Sequence, residues 1–164
     1  MSQHKKVALL LTGNELMSGD TVDSNSSRIA IALGERQIAI SKKITVGDDE
    51  GLLRESLRAL CQDAGVVIIN GGLGPTEDDL TADVVADVLG ERLTDHPKAI
   101  KHLEEWCEKR GLELNASNLK QAHLPESADI VDNPIGSAVG FAVEIGESLV
   151  ITTPGVTVQL TGML

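Results

Sequence analysis

VVIINGGLGPTEDDLT, residues Val66–Thr81, joins a strand to a helix through a glycine-rich loop. Its first four residues are all β-branched and apolar, the composition of a central strand buried on both faces. Asn70 then leads into glycines at positions 71, 72 and 74. Leu80, Val84, Val85, Val88 and Leu89 follow with helical spacing, and Gly90 supplies the stop. Strand, loop and helix in that order predict a parallel sheet with a phosphate-handling loop outside the strand's carboxyl end.

Toward the amino terminus, Val7–Leu11 (VALLL) is a second continuous apolar run, closed by Thr12-Gly13. The polar stretch up to Ser24 reads as loop. Ile29, Leu33, Ala30 and Ala32 then form a helix that runs into Gly34, with Asp23 or Ser24 as its cap. Ile38, Ile40, Ile44 and Val46 share one parity, interrupted by Lys42, and predict a strand near a sheet edge with one wet face. Leu53, Leu57, Leu60 and Cys61 lie on one helical face, and that helix ends before Gly65.

Toward the carboxyl end, Pro97 opens a helix to Arg110 with Ile100, Leu103 and Cys107 on one face. Residues 111–134 are polar and irregular. Phe141–Val143 and Leu149–Ile151, separated by residues 144–148, read as a strand pair or hairpin, and Pro154-Gly155 breaks the chain before Val158–Leu164. The expected architecture is α/β in one domain over residues 1–164: a three-layer, mostly parallel sheet with helices on both faces and a late antiparallel strand or hairpin.

Composition narrows the partners. The formal charge of −11 and an aromatic content of 1% leave nothing to attract or stack a polyanionic nucleic acid. A small phosphorylated ligand is compatible, because backbone amides and a divalent cation act locally. Cys61 and Cys107 have no CxxC or Cys/His spacing and read as reduced thiols. The apolar runs are strand-sized and the MSQHKK start has no signal-peptide core, so the chain is expected to be cytoplasmic and free of membrane spans.

The loop carries the chemistry. Gly71, Gly72 and Gly74 let amides approach an anion closely, Pro75 stiffens the loop, and Thr76 offers a hydroxyl. Glu77, Asp78 and Asp79 then stand where a phosphate would bind. A divalent cation such as Mg²⁺, held by Asp78 and Asp79 and completed by phosphate oxygens, reconciles the charges. The plainer reading is that these acids favour a helix amino terminus, an effect of about 0.3–1 kcal/mol each. No Gly-Lys-Ser/Thr follows, so the loop is not a Walker A motif. His123 lies in the irregular tract without an evident partner, and His4, His96 and His102 read as surface residues.

NGGLGPTEDDLT resembles the loop of the MogA/MoaB-type molybdopterin-binding domains, and more closely that of the amino-terminal domain of the competence/damage-inducible protein A (CinA) family. LTGNELMSG at 11–19, Asn25, VGDD at 46–49, QAHLPE at 121–126 and NPIGSAVGF at 133–141 extend the resemblance over nearly the whole chain. It implies a nucleotide-binding domain that hydrolyses ADP-ribose to AMP and ribose 5-phosphate with a divalent metal. Asp79 aligns with the shared catalytic aspartate, with Asp78 beside it. Thr12, Gly13, Glu15, Asn25 and Asp48 would surround the ligand, and Gly136 and Ser137 would contribute from a later loop. Residues of each type also have ordinary roles as solvated acids, helix supports or turn residues. Relatives of this fold form dimers or trimers, so a homo-oligomer is expected.

Three departures stand out. TPGVTVQL at 153–160 replaces the family's LPGVPxEM, with Thr157 for proline and Gln159 for a glutamate, which removes a charge and a base. Val139 stands for a proline. Gln37 stands where glycine is usual, and since left-handed backbone there would cost on the order of 1–2 kcal/mol, a different local turn is expected. The family also continues into a connecting segment and a nicotinamide-mononucleotide deamidase domain, so the chain is expected to be a fragment. Two alternatives remain beside the pyrophosphatase: a molybdopterin-binding, adenylylating domain, and a nucleotide-binding module without turnover.

Overall fold

Val7–Thr12 forms β1 and Val66–Asn70 forms β3, adjacent and parallel at the middle of a six-stranded sheet. Residues 5–164 are described by the structure, a computed structural model, and His4 lies outside them. Every residue of β1 is buried, as expected of VALLL. β2 (Ile40–Val46) pairs with β1 alone and leaves Ser41, Lys42 and Lys43 exposed, the edge position that its polar interruptions predict. β8 (Ser148–Thr153) lies parallel to β3 on the other side. β7 (Gly140–Ile145) and β6 (Asp129–Val131) complete the order β2-β1-β3-β8-β7-β6 by antiparallel pairing.

Helices cover both faces. Leu9 and Leu11 point to one side, where they meet Ile29 of α2 (Asn25–Gly34) and Leu160 of α7 (Thr157–Met163). Ala8, Leu10, Val67, Ile69 and Val150 point to the other, where the larger core gathers α3 (Glu50–Asp63), α4 (Thr81–Leu89) and α5 (Pro97–Arg110). Leu53, Leu57 and Leu60 of α3 are buried as their spacing predicts, and Phe141 is fully buried in the same cluster. Ser148 Oγ lies 2.7 Å from the carbonyls of both Cys61 and Ala64, tying the end of α3 to the β7–β8 hairpin. Cys61 and Cys107 are free thiols, and burial pushes the Cys61 thiol above its ordinary value.

Several local expectations need correction. The stretch before Ser24 is not all loop, because Asn14–Ser18 forms the short helix α1. The 111–134 tract holds α6 (Ala116–Leu119), a 3-10 turn (Lys120–Ala122), β5 (His123–Pro125) and β6. β5 pairs with β4 (Leu93–Asp95) in a separate two-stranded ribbon, so these short strands draw their order from partners distant in sequence.

Gln37 adopts the left-handed conformation after all, at φ 61°. Its amide donates to Gly34 O and the Ile38 amide to Leu33 O, both at 2.9 Å, so the capping bonds at the end of α2 offset the side chain's preference. His96 and His102 are half-buried rather than superficial, with Nε2 at 3.1 Å from Ala128 O and 2.7 Å from Gly136 O respectively. Among the described residues no helix is long and apolar enough to cross a membrane.

Candidate functional site

The carboxyl ends of β1, β3 and β8 are in register: Leu11 lies opposite Asn70, and Asn70 opposite Thr153. The connections leave β1 toward β2 and return past it to β3, so the chain reverses direction in the sheet at the β1–β3 boundary. Crevices at such a boundary are where open α/β sheets bind ligands. A groove of about 510 Å³ lies there. A larger depression of about 980 Å³ at the opposite ends of the strands holds Lys5, Lys6, Asp63, Glu144 and Glu147 and none of the candidate residues.

The groove brings together Thr12, Gly13, Glu15, Asp48, Gly71, Gly72, Gly74, Thr76, Asp78, Asp79 and Ser137. Asn25 and Gly136 are not on its wall. Asn25 is buried behind it, where Nδ2 donates to Asn70 Oδ1 at 2.9 Å and to Gly155 O at 2.7 Å, while Oδ1 accepts from Thr157 at 2.9 Å. Its amide is therefore spent on the fold. Gly136 donates its amide to Asn133 Oδ1 and packs its Cα against the Gln159 side chain, which does line the groove. A Cβ there would collide with that amide.

Two neighbouring loops are pinned by reciprocal bonds. Asp48 Oδ2 accepts from the Asn14 amide at 3.2 Å, and Asn14 Oδ1 accepts from the Asp48 amide at 2.9 Å. Thr12 Oγ1 lies 3.3 Å from Asp48 Oδ1, which leaves that carboxylate fixed at the groove edge. Glu15 is exposed, and its carboxylate lies over Gly13, where a Cβ would stand 2.7 Å from Oε1.

The glycine loop is held at its neck by Thr81, whose part in the loop no local pattern of the sequence signals. Its hydroxyl donates to Gly71 O at 2.7 Å and its amide to Gly72 O at 3.2 Å. Gly71 sits at φ 109°, and a Cβ there would stand 2.6 Å from Thr12 O, so only glycine brings the two strand ends this close. Among the described residues the amides of Gly72, Leu73 and Gly74 have no acceptor. Consecutive unpaired amides around positive-φ glycine form an anion-binding concavity.

The acids do not open the helix. α4 begins at Thr81, and Glu77 to Asp79 occupy a separate turn ahead of it, outside the helix's first turn, where the dipole effect is strongest. Asp79 folds back on that turn: Oδ2 accepts from the Thr76 amide at 2.9 Å and from the Thr76 hydroxyl at 2.7 Å. Asp78 is exposed. Lys120 Nζ donates to Thr76 O and to Asp79 O, the latter at 2.8 Å, and clamps the turn from the 3-10 segment. His123, which the sequence left without a partner, has one: the β4–β5 register places Asp95 Oδ1 2.7 Å from Nε2.

Among the described residues four carboxylates, those of Glu15, Asp48, Asp78 and Asp79, line the groove, and no lysine, arginine or histidine does. Among the described residues no three acidic, histidine or cysteine side chains converge as a ready-made metal cage. The donor set nevertheless suits a hard cation of the Mg²⁺ type, which is commonly held by one or two carboxylates with substrate phosphates and water completing the shell.

A three-layer α/β domain with a glycine loop of free amides beside paired aspartates is the class that fold and groove define. The chain matches the family described as "Probable molybdopterin binding domain" over residues 8–164, and it belongs to that family. It is 50% identical over 159 residues to a "CinA-like protein" of Colwellia psychrerythraea, covering 97% of this chain and 37% of the relative. It is 40% identical over 163 residues to the "Nicotinamide-nucleotide amidohydrolase PncC" of Shewanella oneidensis, covering 97% of this chain and 38% of that protein.

This chain thus spans little more than a third of the length of those curated relatives. Among solved structures it superposes on CinA of Thermoplasma acidophilum, a protein titled as of unknown function, with TM-score 0.89, 30% identity and coverage of 99% and 95% of the two chains. MoaB of Thermus thermophilus shares the fold at TM-score 0.66 and 16% identity, over 98% of this chain and 87% of that one.

Proposed function

We propose that this domain binds a nucleotide by its phosphates and hydrolyses the pyrophosphate bond of ADP-ribose or a related nucleotide with a divalent cation. The observation that carries this reading is, among the described residues, the pairing of three acceptor-free amides at Gly72–Gly74 with a groove of four carboxylates and no basic side chain. The amides suit a phosphate and the carboxylates oppose one, so a cation between them satisfies both. Asp78 and Asp79 are the residues that would hold it. A bound divalent cation supplies charge neutralisation and polarises the phosphoryl group.

The chain's own residues supply the rest. The loop amides hold non-bridging oxygens, Thr76 and Lys120 keep the Asp79 turn in place, and Thr12 with Asp48 closes the far edge. In the net reaction, water adds to one phosphorus, the bridging P–O bond breaks, and AMP and ribose 5-phosphate leave. AMP release from ADP-ribose should require Mg²⁺ or Mn²⁺ and vanish in Asp79→Ala. Metal-independent release, or full release from that variant, overturns the reading.

The family description favours a second reading, binding of molybdopterin, to which adenylylation would be the added chemistry. Pterin binding without nucleotide binding would establish it. A third, a binding module without turnover, is favoured by Gln159, an amide on the groove wall where the family pattern has a carboxylate.

A further inference from the structure

Gln121 sits in the 3-10 turn Lys120–Ala122, is only 7% exposed, and has an Oε1 with no hydrogen-bond partner among the described residues. Native interiors seldom leave a buried carbonyl oxygen without a donor, because its lost hydration is then uncompensated. The residue is not in a sealed core. It lies on the wall shared by the 510 Å³ groove and a neighbouring lobe of about 210 Å³, together with Gly72, Gly74 and Asp79.

Its position relative to the loop is fixed through its neighbour. Lys120 is bonded to the Thr76 and Asp79 carbonyls, so the backbone that carries Gln121 is tied to the acidic turn. The backbone that carries this oxygen is thereby held against the acidic turn.

We infer that Gln121 is a specificity-determining residue whose Oε1 accepts a hydrogen bond from an N–H or O–H of the ligand whose phosphate occupies the glycine loop. This rests on the nucleotide reading above. Backbone amides recognise the phosphates but not the rest of the molecule. A nucleotide offers two kinds of donor at a distance from its phosphate, the ribose hydroxyls and an exocyclic amine, and a buried acceptor rejects analogues that lack the matching one.

The test is calorimetric binding of AMP with Mg²⁺, beside inosine monophosphate, 2′-deoxy-AMP and 3′-deoxy-AMP, to the wild-type chain and Gln121→Met. The wild type should lose about tenfold or more in affinity for the one analogue that lacks the recognised donor. Gln121→Met should bind AMP and that analogue alike, at the wild type's weaker affinity. Its ligand-free melting temperature should stay level or rise, whereas a purely structural Gln121 would lower it.

Equal AMP affinity in Gln121→Met, a preference that persists in it, or no preference in the wild type overturns the assignment while leaving nucleotide binding intact. Failure of the wild type to bind any of the four overturns the nucleotide reading and the assignment with it. Gln121→Leu makes the same comparison if the methionine variant does not fold.

Discussion

The side-chain amides of Asn25 and Asn70 meet at 2.9 Å across the end of β1, joining the start of α2 to the end of β3. Asn70 Nδ2 continues to Thr153 Oγ1 and Pro154 O, and Asn25 Nδ2 to Gly155 O, so one buried chain of amides holds the Pro154-Gly155 turn against the glycine loop. Gly155 would bring a Cβ to 3.3 Å from Gly71 Cα, which shows how closely the two turns are drawn together. Asn25→Ala leaves Asn70 Oδ1 and Gly155 O without their donor. Urea unfolding should show a loss of about 2–4 kcal/mol with an unchanged slope. A loss of ligand affinity at wild-type stability would instead mean that Asn25 touches the ligand directly.

Gln37 gives a prediction of opposite sign. The residue is exposed and left-handed at φ 61°, and among the described residues no side-chain hydrogen bond of Gln37 rewards the conformation. Gln37→Gly removes the Cβ conflict and keeps the two backbone bonds at the end of α2. It should stabilise the domain by about 0.5–1 kcal/mol, after allowing for the glycine's greater freedom in the unfolded chain. Chemical denaturation checks it, and a destabilised variant would mean that the Gln37 side chain contributes packing that outweighs its strain.

Asp23 sets part of the acid limit of stability. Burial pushes its carboxyl upward, but the Ser26 hydroxyl, the Ser26 amide at 3.0 Å and Lys43 Nζ at 3.4 Å together hold it below the ordinary carboxylate value. A depressed folded value means that the contribution is present above the unfolded value and is lost as pH falls through the folded one. Asp23→Asn keeps an acceptor for the cap and removes the charge. The stability difference between wild type and variant should be constant above about pH 5 and shrink below about pH 4. Urea titrations from acid to neutral pH measure it, and a difference independent of pH would remove the ionised form as the cause.

The main layers were legible because their residues carry strong local patterns. VALLL and VVII can only be buried strands, the α3 leucines mark a single face, and the loop's glycines announce a close backbone approach. What escaped the sequence depends on pairing at a distance. β4, β5 and β6 are three residues each and acquire order from strands far along the chain. The same distance hid the Asp95 partner of His123 and the clamp from Lys120 onto the Asp79 turn. Nothing local to Asn25 reveals that its three hydrogen bonds run to residues 70, 155 and 157. The turn that separates the acids from Thr81 carries no punctuation in the sequence beyond Pro75, so nothing local distinguishes it from the start of the helix.

Gln159 is where the family's carboxylate would be restored. Its Oε1 accepts from Asn133 Nδ2 at 3.0 Å, and Asn133, fully buried, also bonds Ala138 O and the amides of Ile135 and Gly136. A glutamate in the same rotamer keeps the Asn133 bond, so Gln159→Glu should fold normally. It adds a fifth carboxylate to a groove that already holds four, which strengthens the hold on a divalent cation and weakens nucleotide binding when the cation is removed. If the missing base limits turnover, AMP release from ADP-ribose with Mg²⁺ should rise on the order of 10²-fold, with no gain in EDTA. A folded variant with unchanged turnover would show that position 159 does not limit the reaction, and attention would return to Asp78 and Asp79.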